Sequence, residues 1–143
     1  MIVEADARCL PWGDRTFDFV FTSPPWDDLD VLTQARPELT RVLTRKGLMA
    51  LLLPNRAAPA MATLVVTNRD WTERQEFIVE KPSGVVGPRY FSPSDDFVRR
   101  VLVKYRPKRL LDPFCGTGTI PRIARTLGIR AEGSDIAPVA VAV

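Results

Sequence analysis

The chain has 143 residues, 45% hydrophobic and 26% charged, with a formal net charge of +3, a balance that suits one globular domain and excludes a disordered chain. Histidine is absent and the only cysteines are Cys9 and Cys115, which excludes Ser-His-Asp triads, imidazole acid–base chemistry, His-ligated metals, Cys₄ zinc sites and a disulfide scaffold. No apolar run approaches the roughly 18 residues of a spanning helix and no signal pattern follows Met1, so the expectation is a soluble, cytoplasmic protein with no membrane partner.

Ile2-Val3 is a short apolar start. Phe17 to Thr22 (FDFVFT) is a β-rich run closed by Ser23-Pro24-Pro25, because two prolines cannot continue a strand ladder. Pro37 suits the first turn of a helix whose face is Leu39, Val42 and Leu43, with Lys46 in its last turn and Gly47 as its stop. Leu48 to Leu53 reads as a buried strand, Ala57 to Thr67 as a helix and Thr72 to Lys81 as a strand. Lys81 to Phe91 holds two prolines and two glycines and reads as a loop.

A second helix spans about Pro93 to Tyr105, capped by Ser92, with Asp95 and Asp96 in its first turn and an apolar stripe of Phe97, Val98, Val101, Leu102 and Tyr105. Arg109 to Asp112 is a short strand. Thr119 is placed to cap a helix that Gly128 stops, Ala131 to Ser134 is a last strand, and Pro138 opens a final helical segment. Alternating strands and helices predict an α/β domain with a mostly parallel sheet covered on both faces.

Charge is unevenly spread. Residues 1–30 carry seven acids and two bases, and 16 of the chain's 20 bases are Arg. The densest basic run is Arg99, Arg100, Lys104, Arg106, Lys108 and Arg109, with no acid between Phe97 and Leu111. Its reading is a surface for a polyanion, joined by the loop 81–91.

Two loops carry chemistry. In Asp112-Pro-Phe-Cys-Gly-Thr-Gly-Thr119, between a strand and a helix, Gly116 and Gly118 let backbone approach a ligand where the sheet ends. No GK[ST] follows, so this is not a phosphate-binding P-loop; Asp112 would repel a pyrophosphate and suits a cationic group such as an α-ammonium. A side chain at Gly118 is expected to block the ligand and leave the domain folded. Asp135, just after the following strand, is placed for ribose hydroxyls. In the second loop, Thr22-Ser-Pro-Pro-Trp26, fixed carbonyls, a hydroxyl and an aromatic ring suit a planar base held by its exocyclic amino group. Trp12 and Trp71 match no motif and read as packing residues, Asp18 as structural, and Asp27 and Asp28 as solvated loop acids.

Together, TSPPW and DPFCGTGT resemble motifs IV and I of S-adenosylmethionine-dependent amino-methyltransferases of DNA. Motif IV comes first here, an order similar to the circularly permuted β class. Ala5 to Pro11 resembles motif III, Glu132 to Ile136 resembles motif II, and Phe91 to Tyr105 loosely resembles motif X. The resemblance implies a Rossmann-like class I methyltransferase fold with six or seven strands in the order 3-2-1-4-5-7-6. It implies one catalytic and cofactor domain over 1–143, with almost no target-recognition region and no clear segment for strand 7. The chain would start at family strand 3 and finish just after strand 2, which makes its termini neighbours.

The implied cofactor is S-adenosyl-L-methionine, held by Asp6, Ala7, Asp112, Pro113, Phe114, Gly116, Gly118, Thr119, Asp135 and Ile136. Asp6 would contact the adenine and Asp135 the ribose. The implied catalytic set is Ser23, Pro24, Pro25 and Trp26. Ser23 and the Pro24 carbonyl would accept the N–H bonds of the exocyclic amine, and Trp26 would stack on the base. Cys115 sits inside the cofactor loop and reads as packing, not as a nucleophile. The implied partner is DNA with the target base flipped out or single-stranded. TSPP leans to N4 of cytosine over N6 of adenine. An RNA or protein-amide methyltransferase remains open, as does a non-catalytic cofactor- or DNA-binding subunit. A homodimer or a partner subunit could supply target recognition.

Overall fold

The structure is a computed structural model that describes residues 1–25, 28–55, 60–67, 73–80 and 94–137. Its strands are β1 (Ile2–Glu4), β2 (Phe17–Thr22), β3 (Leu43–Asn55), β4 (Ala60–Thr67), β5 (Glu73–Glu80), β6 (Arg109–Asp112) and β7 (Arg130–Asp135); its helices are α1 (Asp30–Val42), α2 (Asp95–Tyr105) and α3 (Thr119–Thr126). The strands form one sheet of order β1-β7-β6-β2-β3-β4-β5. The first five are mutually parallel, and β4 and β5 extend the sheet antiparallel.

Side-chain alternation in β2 builds a core on each face. Phe19 and Phe21 pack with Phe97, Val98, Val101 and Leu102 of α2 and with Ile120 and Ile123 of α3. Val20 points the other way, into a cluster with Ala35, Leu39 and Val42 of α1. Phe17, Phe19, Phe21, Leu110 and Leu111 are fully buried, and each such side chain contributes about 1.5–3 kcal/mol by leaving water. On the α1 face, Arg109 lies 5.2 Å over the Phe17 ring and donates to Glu132, which also accepts from Trp12 Nε1. Trp12 and Phe17 meet edge to face, so Trp12 is the packing residue expected.

Several local expectations are corrected. The segment read as a helix from Ala57 to Thr67 contains strand β4. Its Val65, Val66, Thr63 and Thr67 are β-branched, and a connection of residues 56–59 is long enough only for an adjacent antiparallel partner. This edge therefore runs β3-β4-β5 in chain order and departs from the 5-7-6 order of the resembled family. Pro37 lies inside α1, not in its first turn, and is tolerated there on the exposed side.

Lys46 and Gly47 lie in β3, where Phe17 pairs with Leu43 but Phe19 pairs with Leu48. The extra β3 residues fold into a bulge. A Cβ on Gly47 would stand 2.8 Å from Leu43 Cδ2 and 2.9 Å from the Thr44 carbonyl, so Gly47 serves the bulge and does not end a helix. Ser94, not Ser92, caps α2, its Oγ accepting from the Phe97 amide at 3.3 Å. Gly118, at φ +81°, is the N-cap of α3, and Thr119 is the first helical residue. The loop expected at 81–91 and the helical segment from Pro138 lie outside the described residues. Among the described residues, no helix is long and apolar enough to cross a membrane.

Candidate active site

The five parallel strands share a carboxyl edge, where the β1, β7, β6 and β2 ends stand in a row at Glu4, Asp135, Asp112 and Thr22. From β6 the chain goes on to β7 on one side, and from β2 to β3 on the other. The boundary between β6 and β2 is thus the topological switch point, the place where open α/β sheets bind ligands. Both loops singled out in the sequence start there: 113–118 after β6 and 23–29 after β2.

The loop after β6 hangs on β7. The Cys115 amide donates to the Ser134 carbonyl at 2.9 Å, the Gly116 amide to Asp135 Oδ2 at 2.8 Å, and Ser134 Oγ to the buried Pro113 carbonyl at 3.5 Å. Asp135 is thereby fixed beside Gly116, and its Oδ1 accepts from the Ala137 amide at 3.1 Å. Its main chain also ties in the segment after β1, since the Ala5 amide donates to the Asp135 carbonyl at 3.0 Å. The row thus brings Asp6, buried Ala7, Asp135 and the loop of Asp112 to one edge. Phe114 is half-buried at the fringe of the α1-side core, and Ile136 is 67% exposed.

The two loop glycines differ. Gly116 is exposed at φ +48°, and a Cβ there would meet nothing within 4 Å. Gly118 is buried at φ +81°, and a Cβ there would stand 2.6 Å from Ile2 Cδ1. Gly118 therefore holds the loop against β1. A side chain at this position would displace the end of Ile2 and force an L residue to φ +81°, so it would carry a strain cost besides any effect on a ligand.

Asp112 is 2% exposed. Its Oδ1 accepts from Thr22 Oγ1 at 2.6 Å and from the Phe114 amide at 3.3 Å. Burial pushes its carboxyl up to about 7 against the pull of both donors, and the charge of Asp135 adds to the rise. A cation brought to this carboxyl would favour its ionised form. Burial likewise pushes the Cys115 thiol up to about 12, which makes it a poor nucleophile and a packing residue.

Asp6 carries an ion pair of 2.6 Å to Arg8 and accepts from the Arg8 amide at 2.8 Å. These hydrogen bonds hold its carboxyl below the ordinary range. Arg8 in turn donates to Gln34 of α1 at 2.9 Å.

Past β2, Ser23 is half-buried, Pro24 buried and Pro25 half-buried. The Pro25 carbonyl accepts from the Asp28 amide at 3.4 Å and turns the chain toward α1. Among the described residues, none donates to Ser23 Oγ or to the Pro24 carbonyl. Trp26 lies outside the described residues. Asp18, read as structural, accepts from the amides of Lys108 and Arg109 at 2.9 Å each.

Arg106 and Lys108 of the basic run do not share this edge. α2 passes through Arg106–Lys108 into β6, so Arg106 and Lys108 sit where β6 begins and the two loops sit where it ends. The separation is about 13 Å along four strand residues. A groove of about 480 Å³ lies at this amino edge, lined by Leu102, Val103, Arg106, Lys108, Leu127 and Arg130 among others. It is away from the loops that carry the chemistry. The loop 81–91 expected to join this cluster in phosphate contacts lies outside the described residues.

Sequence reasoning placed Thr22, Arg8 and Gly133 in its motifs but gave none of them a role of its own. A Cβ on Gly133 would stand 3.0 Å from Cys115 Cβ and 3.2 Å from Pro121 Cγ, so this glycine lets the loop lie down on β7. A glycine inside a strand marks such close approach, and that signal was present in EGSD. No group of three or more potential metal ligands occurs among the described residues.

The fold has solved counterparts. TTHA0409 of Thermus thermophilus, assigned as a DNA modification methylase, superposes with a TM-score of 0.62 at 19% identity, over 96% of this chain and 89% of that one. Its complex with S-adenosyl-L-methionine gives a TM-score of 0.64. The complex of M1.HpyAVI with SAM gives 0.62 at 14% identity, over 95% of this chain and 92% of that one. At these identities the likeness is one of fold. No family model and no curated protein matches the chain.

Proposed function

We propose that the chain transfers a methyl group from S-adenosyl-L-methionine to the exocyclic amino group of a DNA base, with N4 of cytosine ahead of N6 of adenine. The observation that carries this reading is the meeting of the two loops at the switch point, where Thr22 and Asp112 are hydrogen-bonded. The Thermus neighbour is named as a DNA modification methylase, and both it and M1.HpyAVI have structures in complex with the same cofactor. The pairing of β1 with β7 and the chain order of the loops support a permuted β-class arrangement; in this reading 1–143 is one catalytic and cofactor domain of a cytoplasmic protein.

The residues suit the cofactor. The open space at Gly116 leaves backbone free to approach it. Asp112 has both its hydrogen bonds on Oδ1, leaving Oδ2 for an α-ammonium. Asp135, fixed by the Gly116 amide, would take the ribose and Asp6 the adenine, with Ala7, Phe114 and Ile136 beside the cofactor. Pro113, Gly118 and Thr119 shape the loop. When bound, the cofactor supplies an electrophilic sulfonium methyl.

The chain's own contribution is orientation. An exocyclic amine is a weak nucleophile because its lone pair is conjugated with the ring. Ser23 Oγ and the Pro24 carbonyl accept its two N–H bonds and draw the nitrogen toward tetrahedral geometry. Pro25 fixes the backbone that aims them, and Trp26 stacks on the base. Positioning and electrostatics of this kind need no covalent enzyme intermediate. A base inside a duplex reaches such a loop only when flipped out.

The test is incubation of the purified chain with unmethylated DNA and methyl-labelled cofactor, followed by nucleoside analysis. Label in N4-methylcytosine supports the full reading. Label in N6-methyladenine corrects the base. Label only in RNA or protein, or none, overturns it, the last in favour of a non-catalytic subunit that requires a partner.

A further inference from the structure

We propose that Thr22 is a positioning residue, whose hydroxyl clamps the amine-acceptor loop to the cofactor loop and sets the distance at which base and methyl donor meet. This inference rests on the methyl-transfer reading above and adds to it a residue outside both recognised loops' expected roles.

The backbone leaves a gap that this bond spans. The parallel ladder between β2 and β6 has its last pair at Val20 and Leu111. Beyond it, Thr22 pairs with Leu51 of β3 and Asp112 pairs with Gly133 of β7. The two strands thus stop pairing with each other, each keeping its outer neighbour, at the point where the two loops begin. There Thr22 Oγ1 donates to Asp112 Oδ1 at 2.6 Å, across 90 residues of sequence.

Thr22 is 0% exposed and Asp112 2%, so water does not compete for the bond and its loss leaves a buried carboxyl short of a donor. Ser23 is the next residue after Thr22, and the Phe114 amide shares Asp112 Oδ1. One carboxyl oxygen therefore joins the first residues of both loops. The hydroxyl is the functional group and the methyl fills space, so valine keeps the shape and removes the donor. The groups that act on Asp112 are Thr22 and the Phe114 amide, which favour its charged form, and Asp135, which opposes it.

The test compares Thr22→Val and Thr22→Ser in the full chain. Expected for Thr22→Val are a cooperative melting transition at a lowered midpoint, a fall in kcat of about tenfold or more and, at a pH where Asp112 is ionised, a cofactor affinity that falls much less than the rate. Thr22→Ser is expected to restore kcat to within about threefold. Amide hydrogen exchange supplies a readout independent of activity: Thr22→Val should speed exchange at Phe114, Cys115 and Gly116, on the other loop, and Thr22→Ser should not.

Raising the pH separates positioning from a mere change in Asp112 ionisation. A rate deficit that persists at high pH supports the clamp, and full recovery there overturns it. The proposal is also overturned if Thr22→Val keeps wild-type kcat, if cofactor affinity falls in step with the rate, or if loop exchange is unaltered. Absence of methyl transfer by the wild-type chain, with exchange still coupled across the loops, would sink the methyl-transfer reading and leave the clamp standing.

Discussion

Gly133 lies so close beneath Cys115 of the loop after β6 that a Cβ on it would be 3.0 Å from Cys115 Cβ and 3.1 Å from Cys115 Sγ. A side chain at 133 would therefore have to push the Cys115 side chain aside. Pro121 bounds the same space from α3, so the loop has little room to retreat. Gly133→Ala is expected to lower stability by about 1–3 kcal/mol through overpacking. Removing Sγ in Gly133→Ala/Cys115→Ala should recover part of the loss. Urea unfolding of both variants checks this, and an unchanged midpoint for the single variant would refute it.

The two loop glycines should separate in a ligand-binding assay. Gly116→Ala meets no neighbour and costs only the strain of a left-handed residue, about 1–2 kcal/mol. It should fold and lose at least tenfold in S-adenosylmethionine affinity by calorimetry. Gly118→Val strikes Ile2 of β1 and should lower the melting temperature as well. Unchanged affinity in folded Gly116→Ala would remove the cofactor assignment of this loop.

Ser23→Ala should reduce methyl transfer by about 10–100-fold, the worth of one hydrogen bond to a reacting group. The Pro24 carbonyl remains, and cofactor affinity should barely move because Ser23 belongs to the other loop. Single-turnover rates and cofactor titrations check the two halves separately. A parallel collapse of both would place Ser23 in the cofactor site.

Asp112 gives stability a definite pH dependence. Its carboxyl is raised from 3.8 to about 7 by burial, so the folded chain holds a proton that the unfolded chain has released. Its contribution is therefore full below about pH 4 and is lost as pH rises toward about 7. Asp6 and Glu38, held down by Arg8 and Arg41, act with the opposite sign and mainly below that window. Asp112→Asn should flatten the decline in unfolding free energy between about pH 4 and 7. Binding of a cationic cofactor near neutral pH should release a proton, measurable by calorimetry in buffers of different ionisation enthalpy.

Arg106, Lys108 and Arg130 stand at the amino edge of the sheet, away from the base-binding loop. Replacing all three by alanine should leave the salt dependence of DNA binding altered by less than one charge equivalent. A loss of two or three equivalents would mean that nucleic acid wraps to this edge.

Local signals were legible in the sequence where the chain punctuates itself. FDFVFT, closed by prolines, matches β2 at Phe17–Thr22, and Arg109–Asp112 matches β6. The loops at the carboxyl edge followed from glycines, prolines and their order along the chain. What was not legible is non-local. AMATLVVT has the alanine and methionine of a helix, and only pairing with β3 and β5 makes it a strand. Pro37 resembles a helix start because propensity ignores the exposed turn that tolerates it inside α1. Thr22 opens TSPPW, but its partner is 90 residues away, and burial gives their bond its weight.

The pairing of β1 with β7 bears on the order in which the domain is completed on the ribosome. Residues 2–4 emerge first, yet their ladder partners are residues 133–135. The strands β2 to β5 can zip in sequence as they appear, since each finds a neighbour in the next. The first strand must wait, unpaired, until nearly all of the described chain has been made. Its shortness, three residues, limits what an idle edge could capture in the meantime. The edge that gathers Asp6, Asp135 and Asp112 consequently takes shape only once β7 has been made and has paired with β1.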